Sequence, residues 1–323
     1  MRWRSIGHGL LGRSWPTLVV ALGLAGALAG PASAGTLGRA LDNLAGDQDP
    51  RGGGFAETGG TDPTVTEWVA LAVAAAPGPW KGREAPLRRA LTRDIGPALS
   101  DAERAAVAIE ASGGDPRDAG GRDLVREVLA AQRSGGAIGA DSSTTAWGIM
   151  ALRAGGLAPE ALAVVRARDA IERSQRPDGG WGLTDGSPGS GPNTTADAIQ
   201  ALIAAGRPRT APSVMRAAKF LRSAQNPDGG FPAVVGGTST ALTTAWVALS
   251  LRALGQRANM PPWDRAGGPR AYLARLQKPD GSVRNTADSM LSSVWATSQT
   301  ALAFSGRPLP ILTASAPPPA VGR

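Results

Sequence analysis

The chain has 323 residues, 42% of them hydrophobic, which is enough apolar material for a sizeable core. It has no cysteine, and its single histidine, His8, lies near the N-terminus, so the rest of the chain has no disulfide, no thiolate nucleophile, no His-based triad and no Cys/His zinc site. The formal net charge of +8 is scattered, with no basic run interleaved with aromatics, which argues against a nucleic-acid partner.

Residues 1–34 read as an export signal: Arg2, Arg4 and Arg13 form a basic start, "TLVVALGLAGALAG" an apolar stretch, and Ala32-Ser33-Ala34 a small-residue cleavage site. The apolar run is shorter than the ~20 residues a spanning helix needs. The expected location of the mature chain is therefore extracellular or in the cell envelope, with peripheral envelope association as one outcome of its basic charge. The mature chain is expected to begin near Gly35.

From there two kinds of helix alternate. "LGRALDNLAGDQ", "APLRRALTRDI", "DLVREVLAAQ", "VVRARDAIERSQ", "SVMRAAKFLRSAQ" and "RAYLARLQ" carry one apolar stripe and one charged face, as outer helices do. Each is followed by a less polar helix: "TEWVALAVAAAP", "AERAAVAIEASGG", "TTAWGIMALRAGG", "TTADAIQALIAAG", "TTAWVALSLRALG" and "VWATSQTALAFSG". Apolar residues around nearly the whole circumference imply burial on several sides. Thr64 with Glu67, Ser100 with Glu103 and Thr194 with Asp197 read as capping boxes, and Gly113, Gly206, Gly255 and Gly306 as left-handed C-caps.

The joint after an outer helix recurs as "QDPRGGGF" from Gln48, "QRSGGAIG" from Gln132, "QRPDGGWG" from Gln175, "QNPDGGFP" from Gln225 and "QKPDGSVR" from Gln277, with a degenerate repeat expected around "RDIGPALSDAER". Proline stops the helix, Asp178, Asp228 and Asp280 favour the turn, and glycine accepts positive φ. The Gln amide can satisfy orphan backbone groups of neighbouring helices, and Phe55, Trp181 or Phe231 can pack on the adjoining repeat. Repetition itself marks these residues as structural rather than catalytic. Six helical hairpins of this size predict an all-α, α6/α6 toroid spanning 35–311, with a Pro-rich disordered tail at 312–323; an open α-solenoid is the alternative.

"QRPDGGW" and "QNPDGGF" resemble the QW repeats of the squalene cyclase and prenyltransferase superfamily, whose members form α6/α6 toroids. The resemblance runs from about Gln48 to Gly306, strongest in the repeats at Gln175 and Gln225. It implies several chemistries, most of which this chain lacks the residues to perform. Zinc prenyltransferases, lanthipeptide-type cyclases and thioester domains of this fold need Cys or His. Class II terpene cyclases protonate an alkene with a D-x-D-D acid that does not occur here, and aromatics to line a cation-bearing cavity are only 4% of the chain. No metal or cofactor is expected.

Aligned on their glycine ends, the less polar helices place Trp68, Arg104, Trp147, Asp197, Trp246 and Thr297 at one position. Trp68, Trp147, Asp197 and Trp246 are the candidate ligand-binding residues if this position faces the lumen; the alternative wedges the indoles between inner and outer helices. Asp197 is then either a capping residue or a lumen carboxylate, and it is the candidate acid for any catalysis; Glu67, Asp141 and Asp288 are weaker candidates. The function expected is non-catalytic binding of a hydrophobic or amphipathic ligand, or of a protein partner, at the toroid centre, by fold-level analogy with transcobalamin-type binders. A terpene-cyclase-like isomerase acting on an isoprenoid and a structural cell-surface repeat domain are the alternatives.

Overall fold

The computed structural model describes residues 31–313 apart from 59, 77–79, 81 and 185. Of the stretch 1–34 read as an export signal, residues 1–30 lie outside the described residues, as does the Pro-rich end from residue 314. Twelve α-helices alternate as predicted among them: α1 (Pro31–Asp47), α3 (Glu84–Arg93), α5 (Leu124–Ala130), α7 (Leu162–Arg173), α9 (Pro212–Ala224) and α11 (Gly268–Leu276) outside, α2 (Pro63–Ala75), α4 (Leu99–Ala111), α6 (Ser142–Ala154), α8 (Pro192–Ala204), α10 (Ala241–Ala253) and α12 (Val294–Ser305) inside. Each inner helix packs on the next, and α12 packs on α2. The ring is therefore closed, and the open solenoid is excluded. Strand structure among the described residues is confined to two-residue ladders, β1 (Phe231–Pro232) with β2 (Ser239–Thr240) and β3 (Val283–Arg284) with β4 (Ser292–Ser293). No helix among them is long and apolar enough to cross a membrane.

The outer ring is closed by the repeated glutamines. Gln48 Nε2 donates to the carbonyls of Gly53 and Arg83 (2.9 and 3.2 Å), Gln132 to Gly136 and Ala163 (3.0 and 2.8 Å), Gln175 to Gly179 and Ser213 (both 2.8 Å), and Gln225 to Gly229 and Trp263 (3.1 and 3.2 Å). Gln277 completes the circle by reaching Gly281 and Thr36 of α1 (3.1 and 2.8 Å). The amide thus joins its own turn to the start of the next outer helix, rather than binding an outer helix to an inner one. The turn glycine must lie against that helix: at Gly229, φ is +86° and a Cβ would stand 2.4 Å from the Arg265 carbonyl. Asp178 and Asp228 each accept from a backbone N–H two residues on (both 2.9 Å) and from the hydroxyls of Ser190 and Ser239; Asp280 does the same with Ser282.

The degenerate repeat uses different chemistry. Between α3 and α5 the Arg122 guanidinium donates to the carbonyls of Ile95 and Gly96 (3.2 and 2.9 Å) while pairing with Glu127. A side chain reaching back from the following repeat here replaces the amide that reaches forward elsewhere.

The turn is tied to its inner helix by threonine. Phe55, Ile138, Trp181, Phe231 and Val283 donate their backbone N–H to the hydroxyls of Thr66, Thr145, Thr195, Thr244 and Thr297. Thr297 therefore belongs to this threonine series, and the residue of α12 equivalent to the tryptophans is Gln299. The alignment on glycine ends fails there by two residues, because α12 is one residue shorter than the other inner helices and Gly306 follows its last residue directly, whereas Gly113, Gly206 and Gly255 come one residue later.

The capping boxes are corrected too. The side chains of Asp62, Asp141, Thr240 and Ser293 accept from the N–H of Val65, Thr144, Thr243 and Ala296. Pro63 and Pro192 open α2 and α8, so these helices start before Thr64 and Thr194. Glu67, Glu103 and Asp197 are released from capping and lie inside the ring of helices.

Candidate functional site

The sixth residues of the inner helices are Trp68, Arg104, Trp147, Asp197, Trp246 and Gln299. Trp68, Trp147 and Trp246 come from α2, α6 and α10, which alternate around the six-membered ring and are not neighbours. Their indoles nevertheless meet pairwise: Trp147 stacks on Trp246 at 5.4 Å and 7°, and Trp68 meets the two edge-on at 5.7 and 5.3 Å. Side chains of three alternate helices can touch one another only at the ring axis. The position faces the lumen, and the indoles fill it at that level instead of wedging outward.

Asp197 completes this cluster. Its Oδ1 accepts from Trp246 Nε1 at 2.5 Å and its Oδ2 from Ser143 Oγ at 2.9 Å. Burial pushes its carboxyl up to about 7, against the pull of these donors, which favour the ion. It is a lumen carboxylate and not a cap.

Two further acids, one residue earlier on α2 and α4, share this level. Glu67 lies buried against Arg104 at 2.9 Å, and Arg104 also pairs with Asp101 at 2.7 Å; burial outweighs the arginine and raises Glu67 to about 8. Glu103 is fully buried, and neither of its oxygens has a hydrogen-bond partner among the described residues. Desolvation, then the charge of Asp141, raises it to about 9, with Asp197 adding in the same direction. Sequence reasoning missed Glu103 by treating it as a capping partner. Asp141 caps α6 and Asp288 is exposed on a loop, so neither belongs to the site.

The other end of the lumen is filled by the chain itself. After α12, which ends on left-handed Gly306, Arg307 donates to the Ala74 carbonyl of α2, Leu309 N–H to Gln200 Oε1 of α8 (3.1 Å), and the N–H and hydroxyl of Thr313 to Glu110 Oε1 of α4 (both 2.9 Å). Helices α12, α8 and α4 also alternate around the ring. A segment that leaves the first and bonds to the other two must cross the axis. Leu309 and Ile311 are buried there. Gln200 follows Asp197 by three residues, about 4.5 Å along the helix, so the segment ends close beneath the indoles.

The residues assigned to the repeated turns, from Gln48 to Asp280, stand on the outer ring away from this axis. A cavity of about 190 Å³ also lies off the axis, lined by Ala70, Val73, Trp80, Leu87 and Ala111; ligand pockets are usually ~300–1,000 Å³. Among the described residues no cluster of His, Cys, Asp or Glu has the arrangement of a metal site.

Residues 162–290 match the family model of the squalene-hopene cyclase C-terminal domain. No curated protein matches the chain. The chain is similar in structure to the type II terpene cyclase MstE from Scytonema, at 15% identity and TM-score 0.64 over 84% of this chain and 97% of that one. Substituted forms of MstE are similar as well, one in complex with geranylgeranyl dihydroxybenzoate as substrate and one with merosterolic acid A as product. The ent-copalyl diphosphate synthase of Streptomyces platensis is similar at 18% identity and TM-score 0.54, over 76% of this chain and 49% of that one. A glycosidase is similar as well, at 14% identity and TM-score 0.56 over 88% and 99%. The architecture therefore does not select one chemistry. The closed double ring and these likenesses show that the chain has the α6/α6 toroid fold seen in type II terpene cyclases, and the matched stretch 162–290 is similar to the squalene-hopene cyclase C-terminal domain.

Proposed function

We propose that this chain is an exported toroid that binds an apolar, isoprenoid-class ligand at its centre without converting it. The observation that carries the reading is the lumen: three indoles meet at the axis, and the space beneath them is occupied by Leu309 and Ile311. Both side chains are branched aliphatic groups, the shape of an isoprene unit. The binding of a geranylgeranyl substrate by MstE supports the same ligand class. The charged start and apolar stretch ahead of α1 support export.

The acids speak against conversion. Class II terpene cyclases protonate an alkene with a D-x-D-D acid, and that motif does not occur in this chain. A second reading, a cyclase with a divergent acid, rests on Asp197 alone, whose donors stabilise the carboxylate left after proton release. Incubation with geranylgeraniol, squalene or geranylgeranyl diphosphate separates the two. Recovery of unchanged compound is expected; a cyclised product lost in Asp197→Asn would overturn the binding reading in favour of the cyclase.

A further inference from the structure

We infer that the lumen end now held by residues 307–313 is a site for a neutral branched aliphatic alcohol, and that this segment is its internal competitor. The inference rests on the reading of the toroid centre as a ligand site and adds a head group and a control to it. The aliphatic half of the argument is the pair Leu309 and Ile311, both buried on the axis.

The polar half comes from what the lumen presents to them. Glu110 is buried and its Oε1 accepts the Thr313 hydroxyl at 2.9 Å, so an alcohol already sits on it. Gln200 is fully buried; its Oε1 accepts the Leu309 N–H at 3.1 Å, and its Nε2 has no partner among the described residues. The Gln200 amide, with a free buried N–H and a carbonyl that takes a donor, is completed by a group that both donates and accepts, which a hydroxyl does. A diphosphate in the place of the Thr313 hydroxyl would meet the Glu110 carboxylate, an acceptor, and would be repelled. The segment can withdraw without dismantling the toroid, because it follows the last helix and both rings close without it.

The test uses the full chain and its Leu309→Glu/Ile311→Glu variant, in which two carboxylates on the axis drive the segment into water. Geranylgeraniol and geranylgeranyl diphosphate are titrated against tryptophan emission, and amide exchange at Leu309 and Thr313 reports whether the segment has left. The expected result is fast exchange and at least ~10-fold tighter binding of the alcohol by the variant, with no gain for the diphosphate. Equal affinity of both chains for the alcohol would overturn the competitor role and leave the central ligand site standing. Diphosphate binding as tight as that of the alcohol would overturn the head-group assignment. If neither chain bound the alcohol although the amides had become exchangeable, the inference and the central-site reading would fall together. The milder Leu309→Ala/Ile311→Ala chain carries the same comparison if the acidic pair disturbs the fold.

Discussion

Asp197 shows what one residue among equivalents can do. Tryptophan occupies its position in α2, α6 and α10, and an acid there would be expected to destabilise an apolar axis. Instead Trp246 and Ser143 supply donors to both carboxyl oxygens, so the acid has partners that an alanine would orphan. Glu103 has no such partners, and the two acids therefore differ in how they respond to pH. Native carboxyls raised by burial hold protons that the unfolded chain releases near pH 4, so stability is greatest at low pH and falls as pH rises toward 7 for Asp197 and 9 for Glu103. We expect the melting temperature to drop by at least ~2–4 °C between pH 5 and pH 9, the equivalent of about 1 kcal/mol in a chain of this size. Glu103→Gln should remove the largest single share of that slope, Glu67 and Asp197 carrying the rest; an unchanged slope in the variant would show that Glu103 is not a source of it. The sequence marked Asp197 because it stood out within a repeat series. It hid Glu103, because S-x-x-E at a helix start reads as a cap until Asp101 is seen to reach back to the Ala98 N–H at 3.0 Å.

At the scale of the element, alternation of striped and uniformly apolar helices was legible because the two burial environments impose different residue patterns. The partner of the joint was not, since the glutamine's second carbonyl lies 31–38 residues further along the chain, and 241 residues back at the closure. Gln225→Ala would leave the Gly229 and Trp263 carbonyls without this donor in a buried setting. We expect a loss of about 2–3 kcal/mol in denaturant unfolding, in the range for orphaned buried groups. The Gln225→Glu chain, which keeps the size and loses the donor, should lose a similar amount; a loss confined to the alanine variant would assign the effect to packing. Arg122→Ala tests the substitute joint in the same way, through the carbonyls of Ile95 and Gly96.

For the whole molecule, closure of the ring converts a repeated hairpin into a structure with an axis, and the axis is where the repeats stop being alike. Three indoles approach from one triangle of helices and the C-terminal segment from the other. The equivalence of Trp68, Trp147 and Trp246 was readable from the repeat alignment, but not their meeting, which depends on the ring being six-membered and closed. The course of the segment after Gly306 was not readable, because "RPLPILT" has neither helical nor strand periodicity and its partners, Gln200 and Glu110, are over a hundred residues away. Trp68→Ala should cost about 3–5 kcal/mol, as deletion of a large buried aromatic does, and should leave an apolar void at the axis that enlarges the ligand site. The central claim is tested most directly by a crystal structure of the protein grown with saturating geranylgeraniol. The account predicts a prenyl chain on the axis beneath Trp68, Trp147 and Trp246, its hydroxyl on Gln200 or Glu110, with residues 307–313 displaced. Density for Leu309 and Ile311 unchanged on the axis, and the alcohol elsewhere or absent, would contradict it.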